Sequence, residues 1–327
     1  MIVLVTGGCK NGKSSYAQEL ACELAEKYSY LTGKKAEPVY FATMIACDSE
    51  DELRIKKHRE DRKDLGFETV ECGRNIEKEA VKLKEGSVVL FDSLTALTAN
   101  EMFCKESDFE SDGPFQNQSG FLSEITGKIQ KELEILMRYA SSVIFVSDTI
   151  FNDGKIYDKT TELYRKILAD VEKFVAEKSD RVVEMVSKQK IEHRDVKKEK
   201  LKPSAFTLQL VCGGAYQGKT EWVKSQFALS DGDICVCSEK SLPDFSKKCI
   251  SHYENYAAYC LKNGIEIKTD FSDTSVKIII CDDIFCGVVP VDSFQRKLRE
   301  ITGIALQKIA QNAIVTRVFC GIAGRIK

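Results

Sequence analysis

Two stretches of this chain have residue types and spacing suited to phosphate chemistry. Gly7-Gly8-Cys9-Lys10-Asn11-Gly12-Lys13-Ser14 fits the pattern G-x-x-x-x-G-K-[ST], and Gly213 to Thr220 fits it a second time. Glycines at these places let the backbone curl so that successive N–H groups point at phosphate oxygens. The helix expected to follow adds its positive N-terminal end. Lys13 would then give a point charge to the β- and γ-phosphates, and Ser14 a hydroxyl to Mg²⁺. In the second stretch Ala215, Tyr216 and Gln217 stand where the first has Cys9, Lys10 and Asn11. Two readings stay open there. Gly213, Gly214, Gly218, Lys219 and Thr220 form a second nucleotide site, or the loop keeps its turn without the ligand.

Such a loop needs an acid at the end of a neighbouring strand to help hold Mg²⁺. Asp92, closing VVLFD, is the first candidate, so Ser14 and Asp92 are the expected Mg²⁺ ligands. Asp148, closing VIFVSD, is its rival, and Asp282 and Asp283 follow IIIC in the second part. A third feature is Arg54, His58 and Arg62, spaced to share one helix face. Flanking arginines bind phosphate oxygens in forked geometry and depress a histidine pKa, favouring the neutral imidazole. A neutral imidazole can attack an α-phosphate and carry a nucleotidyl group as a phosphoramidate. The same spacing also describes a solvated, charge-rich helix face. His193 reads as part of a linker, and His252 as a surface or packing residue.

The elements that must position these groups follow from the pattern. Residues 2–16 and 208–222 align at an offset of 206, matching Leu4 with Leu210, Val5 with Val211 and the loop glycines and lysines pairwise. A repeat of domain size indicates duplication with divergence. Strands are expected at 2–6, 38–42, 87–92, 142–147 and 181–187, then at 206–212, 233–237, 276–281 and 314–319, alternating with helical patterns. This predicts a P-loop NTPase-like α/β fold, tandem duplicated, with a mainly parallel sheet flanked by helices. The first helix should put Tyr16, Ala17, Leu20, Ala21 and Leu24 on one face, and a long helix near 292–311 should put Phe294, Leu298, Ile301, Ala305 and Ile309 on one side. Residues 105–119 are polar and read as a loop. Residues 191–204 read as a charged linker between a domain at 1–190 and a shortened one at 205–327.

Composition limits the function classes. The 327 residues are 43% apolar and 30% charged, within the range of ordinary globular proteins. A net charge of −2 gives no reason to expect nucleic acid or an anionic membrane as partner. No run approaches the ~20 apolar residues of a membrane span. Most of the 13 cysteines lie inside apolar runs, as free thiols do in a reducing compartment, so a cytoplasmic location is expected.

Taken together, GG-x-x-x-GKS after an apolar strand, YFAT at 40–43, RIxxHRxxR at 54–62, ETVE at 68–71 and VVLFD resemble one family. It is the bifunctional adenosylcobinamide kinase / adenosylcobinamide-phosphate guanylyltransferase family of cobalamin biosynthesis. The resemblance covers residues 1–104 well and 120–190 weakly. It implies phosphorylation of adenosylcobinamide by a nucleoside triphosphate, then GMP transfer from GTP to that phosphate. His58 would be the guanylylated residue and Lys13 the kinase lysine. Gly7, Gly8, Cys9, Lys10, Asn11, Gly12, Lys13 and Ser14 would cradle phosphates. Thr43, Arg59, Arg62, Glu71 and Asp92 would line the nucleotide site. The implied partners are a corrinoid, ATP or GTP with Mg²⁺, and further copies of the chain as a homo-oligomer. The first part departs from the family at 147–157 (SDTIFNDGKIY), whereas 281–310 and the C-terminal VFCGIAGRIK resemble the family's last third. Two alternatives stay open: a P-loop kinase of another small alcohol, and a non-catalytic nucleotide-binding regulatory protein.

Overall fold

A computed structural model of the chain describes residues 1–46, 56, 65–103, 118–155, 157–193, 207–285 and 290–326. His58, Arg54, Arg59 and Arg62, most of the 105–119 loop and most of the expected linker lie outside the described residues. Helices and strands below are numbered among the described elements. The chain divides into two compact units: Met1–Thr149 with Tyr157–His193, and Ile150–Ile156 with Arg194–Lys327.

The first unit is built on a seven-stranded sheet. Its strands are β1 (Ile2–Gly7), β2 (Pro38–Ala42), β3 (Glu68–Glu71), β4 (Val88–Asp92), β5 (Ser142–Asp148), β6 (Arg181–Val186) and β7 (Gln189–His193). In space they run β3-β2-β4-β5-β1-β6-β7. All neighbours are parallel except the β6–β7 hairpin. Central strands of such a sheet are covered on both faces, so they read as unbroken apolar runs. Val88, Val89, Leu90 and Phe91 are all fully buried.

Helix α1 (Lys13–Thr32) covers one face. Its Ala17, Leu20, Ala21 and Ala25 pack with Val3, Val5, Leu90, Ile144 and Val146. Leu24 of the expected stripe is only partly buried at the edge of this cluster. The alternate residues of the strands point to the other face. There Phe41, Phe91 and Phe145 form an aromatic row, with ring centroids 5.6 and 5.5 Å apart. Helices α3 (Leu94–Met102) and α5 (Lys159–Lys178) pack over it, after the short α2 (Glu77–Ala80) and beside α4 (Gln118–Tyr139). The start of α5 is set by Asp158, whose carboxylate accepts the N–H groups of Thr160 and Thr161 at 2.9 and 3.0 Å.

The second unit repeats this plan in smaller form. Its strands are β8 (Gln209–Gly213), β9 (Ile234–Val236), β10 (Cys249–Ser251), β11 (Ile278–Asp282), β12 (Ile314–Phe319) and β13 (Ile322–Arg325), ordered β13-β12-β8-β11-β10-β9. Its helices are α6 (Lys219–Phe227), α7 (Tyr253–Asn263) and α8 (Ser293–Asn312). Helix α8 buries Leu298, Thr302, Ala305 and Ile309. Strand β8 takes the place of β1, β11 that of β5, β10 that of β4, and the β12–β13 hairpin that of β6–β7. The described sheet has six strands against seven in the first unit.

Two boundaries differ from the sequence reading. Strand β7 continues through His193, where the linker was expected, because Val182 pairs with His193 and the imidazole Nε2 meets Glu184 Oε2 at 2.9 Å. His193 is therefore a sheet residue. The stretch Ile150–Ile156 belongs with the second unit, since its Phe151 carbonyl and Asn152 side chain pack on the second glycine loop.

Gly7 tests how tightly the first loop is built. Its φ is +150°, and a Cβ there would stand 2.4 Å from the Met185 carbonyl oxygen. Gly7→Ala is expected to cost about 3 kcal/mol or more, from the backbone conformation and the clash together. Gly127→Ala, inside α4 with nothing within 4 Å of the added carbon, should instead raise stability slightly. Denaturant melts of the two variants against wild type provide the check.

Candidate nucleotide-binding site

The first glycine loop joins the C-terminal end of β1 to the first turn of α1. The chain leaves β1 toward β2 on one side of the sheet, and β6 lies on the other side. Ligands collect at such a crevice beyond the strand ends. Lys10 has φ 58° and Gly12 has φ 89°, so the loop turns back on itself before the helix begins. The loop is braced from the β6–β7 turn. Ser187 N–H donates to Asn11 Oδ1 at 3.3 Å, and Lys188 N–H donates to the Asn11 carbonyl at 3.1 Å. Asn11 is thus a bracing residue, and sequence patterns carried no sign of its partners.

Lys13 is buried and folds back over the loop. Its Nζ donates to the Gly8 carbonyl at 2.8 Å and pairs with Asp148 Oδ1 at 2.7 Å. Asp148 is half-exposed, so the pair opens to the crevice. Ser14 follows on the first helical turn and is half-buried. Cys9 and Lys10 lie exposed at the loop tip.

Asp92 lies one strand further from the loop, at the end of β4, and its Oδ2 accepts the Tyr40 hydroxyl at 2.6 Å. Asp148, the sequence rival, is the acid next to β1, paired in register with Gly7. Thr43 is fully buried. Its hydroxyl donates to the Ser93 carbonyl at 2.9 Å and accepts the Ser93 N–H at 2.7 Å. It fastens the end of β2 to the end of β4, so it acts on the crevice by positioning Asp92 and Ser93. Glu71 ends β3 and is exposed.

The second loop has the same internal geometry. Lys219 Nζ donates to the Gly214 carbonyl at 2.6 Å and pairs with Asp282 Oδ1 at 2.7 Å. Tyr216 has φ 61° and Gly218 φ 88°, close to Lys10 and Gly12. Gln217 replaces Asn11 as the brace. Its carbonyl accepts the Gly321 N–H at 3.0 Å and its Oε1 accepts the Cys320 N–H at 2.6 Å. One difference is local: Ala215 N–H donates to the Phe151 carbonyl at 3.0 Å. Asn152 Oδ1 comes so close to Gly214 that an added Cβ would meet it at 2.1 Å.

The second loop also has neighbours that sequence spacing did not reveal. His252, which read as a surface or packing residue, is the N-cap of α7 with φ 56°. Its Nδ1 meets Glu254 Oε1 at 2.9 Å, and Glu254 Oε2 accepts the Asp282 N–H at 2.9 Å. The hydrogen bond to Glu254 holds the His252 pKa above its usual value although burial opposes it. Among the described residues the ten cysteines are free thiols. No described helix is long and apolar enough to cross a membrane.

A parallel sheet whose central strand ends in a glycine loop, with a buried lysine folded over that loop, defines the class: a P-loop α/β protein. Comparison with known proteins narrows this. The family described as cobinamide kinase / cobinamide phosphate guanyltransferase (CobU) matches residues 3–192, and the chain belongs to that family. It is similar to the bifunctional adenosylcobalamin biosynthesis protein CobU of Salmonella typhimurium (strain LT2), 24% identical over 57% of this chain and 96% of that protein. It is also similar to the protein of the same name from Escherichia coli (strain K12), 26% identical over 46% of this chain and 76% of that protein. Membership makes the chain a transferase of cobalamin biosynthesis at the level of the family. The match ends before the second loop.

Proposed function

We propose that this chain phosphorylates the aminopropanol end of adenosylcobinamide with a nucleoside triphosphate, and then transfers GMP from GTP to that phosphate through a guanylylated His58. The supporting observation is the buried Lys13, held between Gly8 and Asp148 at the mouth of the first loop, inside the stretch that the family covers.

Phosphoryl transfer needs no protein nucleophile. It needs alignment of the substrate hydroxyl with the γ-phosphorus and compensation of charge on the transferring oxygens. Lys13 would turn from the Gly8 carbonyl to the β- and γ-oxygens when a triphosphate enters. The N–H groups at the start of α1 would take the rest. Ser14, Asp92 and Asp148 offer only hard oxygen donors at this end of the sheet, a set that suits Mg²⁺. Bound there, Mg²⁺ supplies charge neutralisation at the phosphates.

In the second activity an imidazole nitrogen of His58 attacks the α-phosphorus of GTP. A P–N bond forms, the P–O bond to the β-phosphate breaks, and pyrophosphate leaves. A phosphate oxygen of adenosylcobinamide phosphate then attacks the same phosphorus, breaks the P–N bond and yields adenosylcobinamide-GDP. Arg59 and Arg62 would bind the phosphate oxygens through the exchange. Thr43 would hold the ends of β2 and β4 in place, and Glu71 would line the nucleotide site beside Asp92.

The experiment is direct. Incubation with GTP labelled at the α-phosphate and Mg²⁺ should label the protein, and acid should release the label. Phosphorylated cobinamide with an unlabelled protein would reduce the chain to a kinase. Nucleotide binding without turnover of any corrinoid would make it a regulatory protein.

Cys9 offers an independent readout of occupancy. It is exposed at the loop tip, where a bound triphosphate would cover it. Mg-GTP is expected to slow its alkylation by about tenfold or more, as mass action gives when ligand exceeds ten times Kd. Peptide mapping of a thiol reagent measures it, and equal rates with and without Mg-GTP would remove the first loop from the site.

A further inference from the structure

The group His252, Glu254 and Asp282 has no role in the chemistry above. It comes from two separate segments, the N-terminus of α7 and the end of β11, and meets beside the lysine of the second loop. One ligand-type atom from each lies within 4.8 Å of the others. The Glu254 side chain is about nine-tenths buried, a costly place for a carboxylate unless it is matched by positive charge or donors.

The first unit shows what this corner requires structurally. There α3 begins after Ser93 as α7 begins after His252, so Ser93 and Thr95 hold the places of His252 and Glu254. Thr95 Oγ1 accepts the Asp148 N–H at 2.9 Å, and Glu254 Oε2 accepts the Asp282 N–H at 2.9 Å. A neutral hydroxyl therefore suffices to fasten the strand end. The second unit has instead a carboxylate and an imidazole at the same two positions, while keeping the Lys219–Asp282 pair.

We propose that His252, Glu254 and Asp282 form a divalent transition-metal site at the phosphate end of the second glycine loop. The 2.9 Å separation of His252 Nδ1 and Glu254 Oε1 matches the edge of an octahedron with bonds of about 2.1 Å. One imidazole with two carboxylates favours Mn²⁺ or Zn²⁺ over Mg²⁺, which prefers oxygen alone. The Lys219 ammonium sits on Asp282, and the His252 imidazole meets Glu254. Metal entry would displace the imidazole proton and release Lys219 toward the loop. The ion would then stand beside Lys219 at the start of the helix that follows Gly213–Thr220. This site rests on the second unit alone and does not depend on guanylyl transfer through His58.

The test uses the full chain and Mn²⁺ alone, without nucleotide, titrated by the electron paramagnetic resonance signal of the free ion. One Mn²⁺ per chain with ¹⁴N coupling in its pulsed spectrum is expected, since an ion held by Ser14, Asp92 and Asp148 would have oxygen ligands and no such coupling. Glu254→Gln, Asp282→Asn and His252→Asn should each weaken binding by about tenfold or more, since even outer groups of metal sites matter on that scale. Asparagine tolerates the left-handed backbone at position 252, so His252→Asn should fold, and it should abolish the ¹⁴N coupling. His193→Asn, which removes the imidazole–carboxylate pair of the first unit, should leave Mn²⁺ binding and its ¹⁴N coupling unchanged. Failure to bind at millimolar Mn²⁺, absence of ¹⁴N coupling in wild type, or loss of that coupling in His193→Asn would each overturn the proposal. The wild-type spectrum decides even if a variant fails to fold.

Discussion

His58→Ala is expected to lose GMP transfer by about 10³-fold or more, as removal of an attacking group does, while still phosphorylating adenosylcobinamide. The split follows from the two chemistries. Guanylyl transfer through the protein needs a nitrogen that forms and breaks a bond to phosphorus. Phosphoryl transfer from the triphosphate to a hydroxyl needs only position and charge. The variant should therefore show no acid-labile label from GTP, and adenosylcobinamide phosphate should accumulate. Equal loss of both activities would mean that His58 holds the structure and does not carry the nucleotidyl group. The charged-face reading of Arg54, His58 and Arg62 predicts that outcome.

Lys13→Ala is expected to lower the kinase step by about 10²–10³-fold in kcat, the scale found when one donor to developing charge is removed. Two effects combine. The transferring phosphoryl group loses its point charge, and Asp148 loses the ammonium 2.7 Å away at the triphosphate's place. An unpaired carboxylate facing phosphate repels it, so KM for the nucleotide should rise as well. Lys13→Ala/Asp148→Asn should recover nucleotide binding but not kcat. Recovery of both would show that Lys13 serves only to neutralise Asp148. Lys13→Arg is not a mild change here, because a planar fork replaces the single ammonium that meets both the Gly8 carbonyl and Asp148.

These two residues show how differently the site was legible. Lys13 is readable because its motif is local. Eight consecutive residues specify the glycine turn, the helix start and the lysine. His58 is readable as chemistry but ambiguous in role, since a charged helix face has the same period. The Lys13 partner was not readable. Both Asp92 and Asp148 end apolar runs, and only the strand order puts β5 between β4 and β1. The bracing of Asn11 by Ser187 and Lys188 spans 176 and 177 residues and has no local signature.

The second unit gives the same lesson at longer range. The repeat at an offset of 206 predicted its loop, and the structure gives both loops the same turn and the same lysine–aspartate pair. His252 read as a surface or packing residue because SHYENYAAYCL has an ordinary amphipathic pattern. Its meeting with Asp282 depends on the parallel pairing of β10 with β11, which aligns Cys249 with Ile278.

The amino-acid sequence by itself determined the two glycine loops, the apolar strands, the long helices and the family motifs. Each depends on neighbours within a few residues, where backbone conformation and period act. Tertiary structure alone decided which acid faces Lys13, that His193 closes a sheet edge, that Ile150–Ile156 belongs with the second unit, and that His252, Glu254 and Asp282 share one corner. Those outcomes depend on sheet order and register, which are set by burying all the strands at once and so cannot be read from any single stretch of chain.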